Sequence, residues 1–168
     1  MIKAFIESQF NYCRLVWIFH SRKLNKKIDK LQERALRIIY SDDTASFEEL
    51  LSKDKSVTIH NRNIQALALE MYKVKNNLSP QPVQELFPLN DQQLNTRNAN
   101  EFLLPRPKTE NYGIQSLRYL GPKIWNILPK SLKESSSLYS FKSAIKLWTP
   151  DDCPCKLCKY FIPNVGYM

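Results

Sequence analysis

Glycine is scarce in this chain: Gly113, Gly121 and Gly166 are its three, each isolated. That excludes a P-loop or a G-x-G-x-x-G turn, which need clustered glycines to bring backbone amides against phosphate. Histidine is scarcer still, and neither His20 nor His60 stands near a nucleophile elbow or a paired base. No hydrolase is indicated, and polar roles on helix surfaces are the expectation for both. The longest uninterrupted apolar run, Leu15 to Phe19, is far too short for a membrane span or a signal-peptide core, so the expectation is a soluble intracellular protein without a membrane partner. Cysteine is sparse and uneven. Three of the four, Cys153, Cys155 and Cys158, crowd the C-terminal end, which is not a disulfide framework spread over a secreted scaffold.

What the chain has in excess is positive charge. Lys and Arg total 25 against 16 Asp and Glu, a net charge of +9, which favours an anionic partner such as nucleic acid or a membrane surface, with plain solubility as the alternative. Apolar residues make up 43% of 168 positions, enough for one core or two small ones.

The N-terminal half reads as helical. Leu24, Ile28, Leu31, Ala35 and Ile38 fall at i, i+4, i+7, i+11 and i+14, one stripe of an amphipathic helix expected to dock on the domain. Beside it Lys23, Lys27, Lys30, Arg34 and Arg37 recur with the same spacing, with Lys26 close by. This basic stripe is the candidate nucleic-acid-binding surface, diluted only by Asp29 and Glu33. Ile2, Phe5, Ile6, Cys13, Val16 and Trp17 predict one earlier, more apolar helix. Ser46-Phe47-Glu48-Glu49 is a capping box opening a short helix, and Ile64, Leu67, Met71, Val74 and Leu78 mark a longer one that stops at Asn76-Asn77-Leu78-Ser79-Pro80.

Between the second and third of these helices stands Tyr40-Ser41-Asp42-Asp43, matching the Y-x-D-D signature whose aspartates hold catalytic Mg²⁺ in reverse transcriptases. The placement argues against that role. The polymerase motif occupies the tight turn of a β-hairpin, whereas here Tyr40 ends a helix and the aspartates fall in a helix–helix link, where such side chains satisfy free backbone groups.

From residue 80 to 112 prolines alternate with Asn, Gln and Thr, giving a linker or long loop with at most a single helical turn at Val83 to Phe87. Phe102-Leu103-Leu104 and Gly113 to Leu120 are predicted short strands, and Gly121-Pro122 is predicted to open a helix. Leu138, Phe141, Ile145 and Trp148 give the core face of a last helix. The expected fold class is therefore mainly α: a helical N-terminal bundle over 1–79, the linker over 80–112, a small α+β unit over 113–150, and a cysteine-containing tail over 151–168. Close thiolates at Cys153, Cys155 and Cys158 have the chemistry to hold Zn²⁺, but they supply three ligands, and a closed site needs a fourth from Cys13, His20, His60 or another chain. A reduced tail is the competing reading.

Longer strings carry a resemblance. A-F-I-E-S-Q-F-N-Y-C-x-L-V-W-x-F-H-S-R-x-L-N-x-K-I from Ala4 to Ile28, then L-Q-E-R-A-L-R-I-I-Y, S-F-E-E-L-L, I-H-x-R-N-I-Q-x-L-A-x-E-M-Y-K-V-K-N-N-L-S-P, L-G-P-K-I-W-N-I-L-P and C-P-C-K-L-C-K resemble successive blocks of the region after the polymerase domain in non-LTR, LINE-type retrotransposon proteins of animals. Arg14 departs from the family's Y-C-P-L string. The resemblance implies a thumb-like or post-polymerase segment of an RNA-directed DNA polymerase, nuclear in location. It implies RNA or DNA as partner and a polymerase domain upstream. The catalytic fingers and palm do not map onto these residues, so no catalytic residue and no cofactor of the fragment's own is expected. The alternative is a protein-interaction or structural module with a solvated basic surface, adopted by a host.

Overall fold

The computed structural model describes residues 2–18, 22–89, 102–109, 113 and 116–148. The described residues are mainly α-helical, nine helices with no sheet. They belong to two compact units that divide between Asn63 and Ile64.

The first unit holds α1 (Ile2–Asn11), α2 (Arg14–Trp17), α3 (Arg22–Tyr40), α4 (Phe47–Lys53) and the start of α5 (Ile59–Lys75). The single helix expected across its first 17 residues is two. Cys13 adopts the left-handed region, φ 45°, which breaks the i to i−4 ladder. Trp17 Nε1 then donates to the Tyr12 carbonyl across the break at 2.7 Å, and Val16 is left exposed. Ser46 caps α4 as its sequence predicts: Ser46 Oγ accepts from Glu49 N and Glu49 Oε2 accepts from Ser46 N. The helix carries Leu50 into a cluster with Leu36 of α3 and Ala45, flanked by Phe47 and Leu51.

The buried face of α3 overlaps the predicted stripe at Ala35 but not along its length. Leu24, Leu31 and Ile38 are 48%, 56% and 56% exposed, while Asn25, Gln32, Ala35 and Leu36 are buried. The helix is rotated because its strongest anchors are off the stripe. Leu36 packs against Ala45 and Leu50, and Gln32 bridges the turn before α5, its Nε2 donating to the Val57 carbonyl at 3.1 Å and its Oε1 accepting from Ile59 N at 3.0 Å. A buried side-chain amide that closes two backbone groups fixes the phase of its helix more firmly than a half-exposed leucine.

The second unit runs from Ile64 through α6 (Gln81–Gln84), α7 (Leu117–Ile127), α8 (Lys130–Lys133) and α9 (Leu138–Ile145). Its core is aromatic. Tyr72 stacks on Phe141 with centroids 4.3 Å apart, Trp125 lies 5.8 Å edge-on to Phe102, and Phe87 lies 6.2 Å edge-on to Phe102. Such offset and T-shaped pairs add to plain area burial. Phe87 and Phe102 are both buried in this core, and Leu89 forms one antiparallel bridge with Phe102.

Two local expectations fail here. Leu117 to Leu120, expected as strand, begins α7, and Pro122 lies inside that helix rather than at its start. The unit is helical rather than α+β among its described residues. Burial accounts for the placement: Leu120, Gly121, Pro122, Ile124 and Trp125 are all buried, and that apolar surface outweighs the hydrogen bond proline deletes. Gly121 allows the close approach. A Cβ there would stand 2.7 Å from Met71 Sδ and 3.2 Å from Phe87 Cε1.

Candidate nucleic-acid interface

The basic stripe is laid along the solvent side of α3. Lys23, Lys26, Lys27, Lys30 and Arg34 are all exposed. Arg34 stands two residues beyond Gln32, about 200° around the helix from that buried anchor. Rotating α3 onto Gln32 and Leu36 thus turns the cations away from the unit's core.

Arg37 is set apart from the other five. It donates through Nη2 to Glu33 Oε1 at 2.9 Å and through Nη1 to the Asp43 carbonyl. One i,i+4 ion pair removes one of the two acidic diluents from the stripe, and the guanidinium also fastens the link that follows the helix.

Asp42 is committed to that link. Its Oδ1 accepts from Thr44 N at 3.2 Å, Thr44 Oγ1 at 3.0 Å and Ala45 N at 2.9 Å, and its Oδ2 accepts from Lys53 Nζ at 2.5 Å. The Lys53 hydrogen bond first, then those from Ala45 and Thr44, hold the carboxyl well below the usual carboxylate range, and the same contact raises Lys53. Ser41, at φ 50°, makes the left-handed turn that aims the carboxylate back at these donors. The Asp42 carboxylate is thus engaged by the turn's own donors and by Lys53, and Tyr40 Oη donates to Asp54 Oδ1 at 2.9 Å.

A second cationic group escaped the sequence. Arg62 pairs with Glu7, Nη1 to Oε1 at 3.1 Å, and Arg14 donates through Nη1 to the Arg62 carbonyl at 3.5 Å and through Nη2 to Asn11 Oδ1. Burial, then the neighbouring Arg62 charge, lower Arg14 from its usual value. The two guanidiniums thus meet through the Arg62 backbone, and only Arg62 is ion-paired to Glu7 in this group. Residues 48 apart in the chain leave no local signal of such a meeting. Glu7 and Arg62 also line a cavity of about 30 Å³ with Phe10, Gln32 and Asp54, room for about two water molecules rather than a nucleotide or cofactor.

Of the remaining candidates, Cys153, Cys155, Cys158 and His20 lie outside the described residues. His60 is buried within α5 rather than on a helix surface, and Cys13 is exposed. No cluster of three His, Cys, Asp or Glu side chains suited to a metal occurs among the described residues, and no described helix is long and apolar enough to cross a membrane. The arrangement is a rod with one face packed and one face cationic, suited to polyanion contact without base readout. No protein-family model, curated protein or solved structure matches the chain.

Proposed function

We propose that the chain binds the phosphate backbone of RNA or DNA through the exposed face of α3, as a non-catalytic thumb-like or post-polymerase segment of a LINE-type retrotransposon RNA-directed DNA polymerase. The observation that carries the binding proposal is that Lys23, Lys26, Lys27, Lys30 and Arg34 all stand in solvent on the side opposite the buried Gln32 and Leu36. Each phosphate neutralised releases condensed counterions, so the binding is sequence-independent and salt-sensitive. The family assignment is supported by the strings from Ala4 to Lys159 that resemble its blocks, and it implies an upstream polymerase domain as partner and a nuclear location.

A structural role for Asp42 within its own link supports a chain without polymerase chemistry of its own. Zinc at Cys153, Cys155 and Cys158 is a chemical proposal, tested by elemental analysis of protein purified under reducing conditions. The binding proposal is tested by gel-shift titration of a labelled RNA hairpin and a DNA duplex at two salt concentrations. Affinity that falls steeply with salt, alike for unrelated sequences, supports it, and the absence of any shift at low salt overturns it.

A further inference from the structure

One side of α3 carries a pattern that its own unit uses only in part. Leu24, Ile28, Leu31, Ala35 and Ile38 alternate spacings of four and three, the a/d pattern of a coiled-coil seam. Ala35 is buried and Ile28 half-buried, whereas Leu24, Leu31 and Ile38 stand outward at i, i+7 and i+14, each about half exposed. Single exposed leucines are ordinary on any protein surface. Three aligned on one helix edge, over about 21 Å of rise, form a continuous apolar line.

Charge along that line selects what covers it. Exposed Lys27 and Arg34 run beside it on the open margin, in the positions that flank a heptad seam. The opposite margin is occupied by Asn25 and Gln32, both buried in their own unit. A second copy of this chain is disfavoured in either direction. An antiparallel copy sets Lys27 and Arg34 against the same cations, and a parallel copy sets them against Asn25 and Gln32, which offer no exposed anion. A helix with acidic flanks meets Lys27 and Arg34 with ion pairs at every heptad.

We propose that the Leu24–Leu31–Ile38 edge of α3 docks an amphipathic helix of another protein, one whose apolar stripe is flanked by Asp or Glu. Lys27 and Arg34 set its orientation and exclude basic helices, while the three apolar side chains supply the buried contact.

The test uses the full chain and two synthetic helical peptides of about three heptads, each with leucine at a and d. One carries Glu at the flanking positions and the other carries Lys. Fluorescence anisotropy at moderate salt is expected to show the Glu peptide bound at least about tenfold more tightly than the Lys peptide. Leu24→Ser, Leu31→Ser and Ile38→Ser together should abolish that binding while far-UV circular dichroism and oligonucleotide binding are retained. A second variant guards against misfolding: Lys27→Glu with Arg34→Glu should reverse the preference toward the Lys peptide. Equal binding of both peptides, or a preference that survives both variants, overturns the proposal. Vesicles of phosphatidylserine and phosphatidylcholine provide the remaining arm. Binding to them through the same three residues, without binding to the Glu peptide, overturns it in favour of a lipid surface.

Discussion

Asp42 and Lys53 meet across the α3–α4 link, Oδ2 to Nζ at 2.5 Å, and close the loop between the two helices. The chain between them turns at Ser41, gives Thr44 and Ala45 amides to the same carboxylate, and re-enters a helix through the Ser46 capping box. Asp42, Ser46 and Glu49 each close a backbone amide of the link or of the helix start, and Asp42 also pairs charge with Lys53.

The latch has a pH signature with a definite sign. The folded-state Asp42 value is depressed from 3.8 and that of Lys53 is raised from 10.5. The carboxylate contribution is present above the unfolded value and is lost as pH falls through the folded one, while the ammonium contribution is present below its unfolded value and is lost as pH rises through its folded one. The stability difference between the native chain and Asp42→Asn, read from urea midpoints, is expected to stay level from about pH 5 to pH 9 and to shrink below about pH 4. A difference that grows on acidification contradicts the latch.

Primer extension on an RNA template should detect no incorporation by this chain, and Asp42→Ala with Asp43→Ala should change nothing in that assay. Template-dependent synthesis by the native chain that vanishes in the double variant would return the pair to metal chemistry.

Gln32→Ala should destabilise the first unit more than its modest size implies. It leaves the Val57 carbonyl and the Ile59 amide without their partners, at a cost of about 1–3 kcal/mol. Chemical denaturation measures the loss, and Leu31→Ala, one residue away on the exposed edge, should cost less than about 0.5 kcal/mol. Similar losses at both positions would place the packed face back on the apolar stripe.

In the second unit Phe141→Ala should cost about 3–5 kcal/mol, because the ring is fully buried between Tyr72 and Trp125. Gly121→Ala should cost about 1–3 kcal/mol by forcing Met71 or Phe87 aside. Thermal unfolding followed by near-UV circular dichroism reads both, and an unchanged midpoint for Gly121→Ala would show that the neighbouring side chains yield without cost.

Changing Lys27, Lys30 and Arg34 together to Gln should preserve helicity, since glutamine is a comparable helix former. Nucleic-acid affinity should fall for all sequences alike, and the slope of log affinity against log salt should drop by about one unit for each phosphate no longer neutralised, up to about three. An unchanged slope in a folded variant moves the interface off α3.

What the sequence disclosed was what is decided locally. The Ser46 box needs only residues three apart, and the end of α5 is signalled by Asn76 to Pro80, where Asn77 takes φ 56°. The cationic face of α3 was legible because charge spacing survives any rotation of the helix. Its packed face was not. Periodicity marks an apolar stripe, but the helix is phased by Gln32, whose partners lie 25 and 27 residues away. The break at Cys13 was hidden for a related reason, because nothing in the residue type asks for a left-handed backbone there. Phe87 and Phe102 drew only a single helical turn and a short strand from the sequence, because the prolines around them dominate any local window, while the ring that Phe102 meets, Trp125, comes from α7. Arg14 and Arg62 joined only once α2 and α5 were folded.

The close approach of Met71 to Gly121 also makes the second unit self-reporting. The chain has three methionines, and Met1 and Met168 are its terminal residues. Met71 is fully buried, its sulfur held against the one position in α7 with no side chain. Peroxide reaches that thioether only when the helices part, and the sulfoxide it leaves is too polar to return to its seat. The rate at which Met71 gains a single oxygen, followed by mass spectrometry of its peptide, should therefore track openings of the aromatic core.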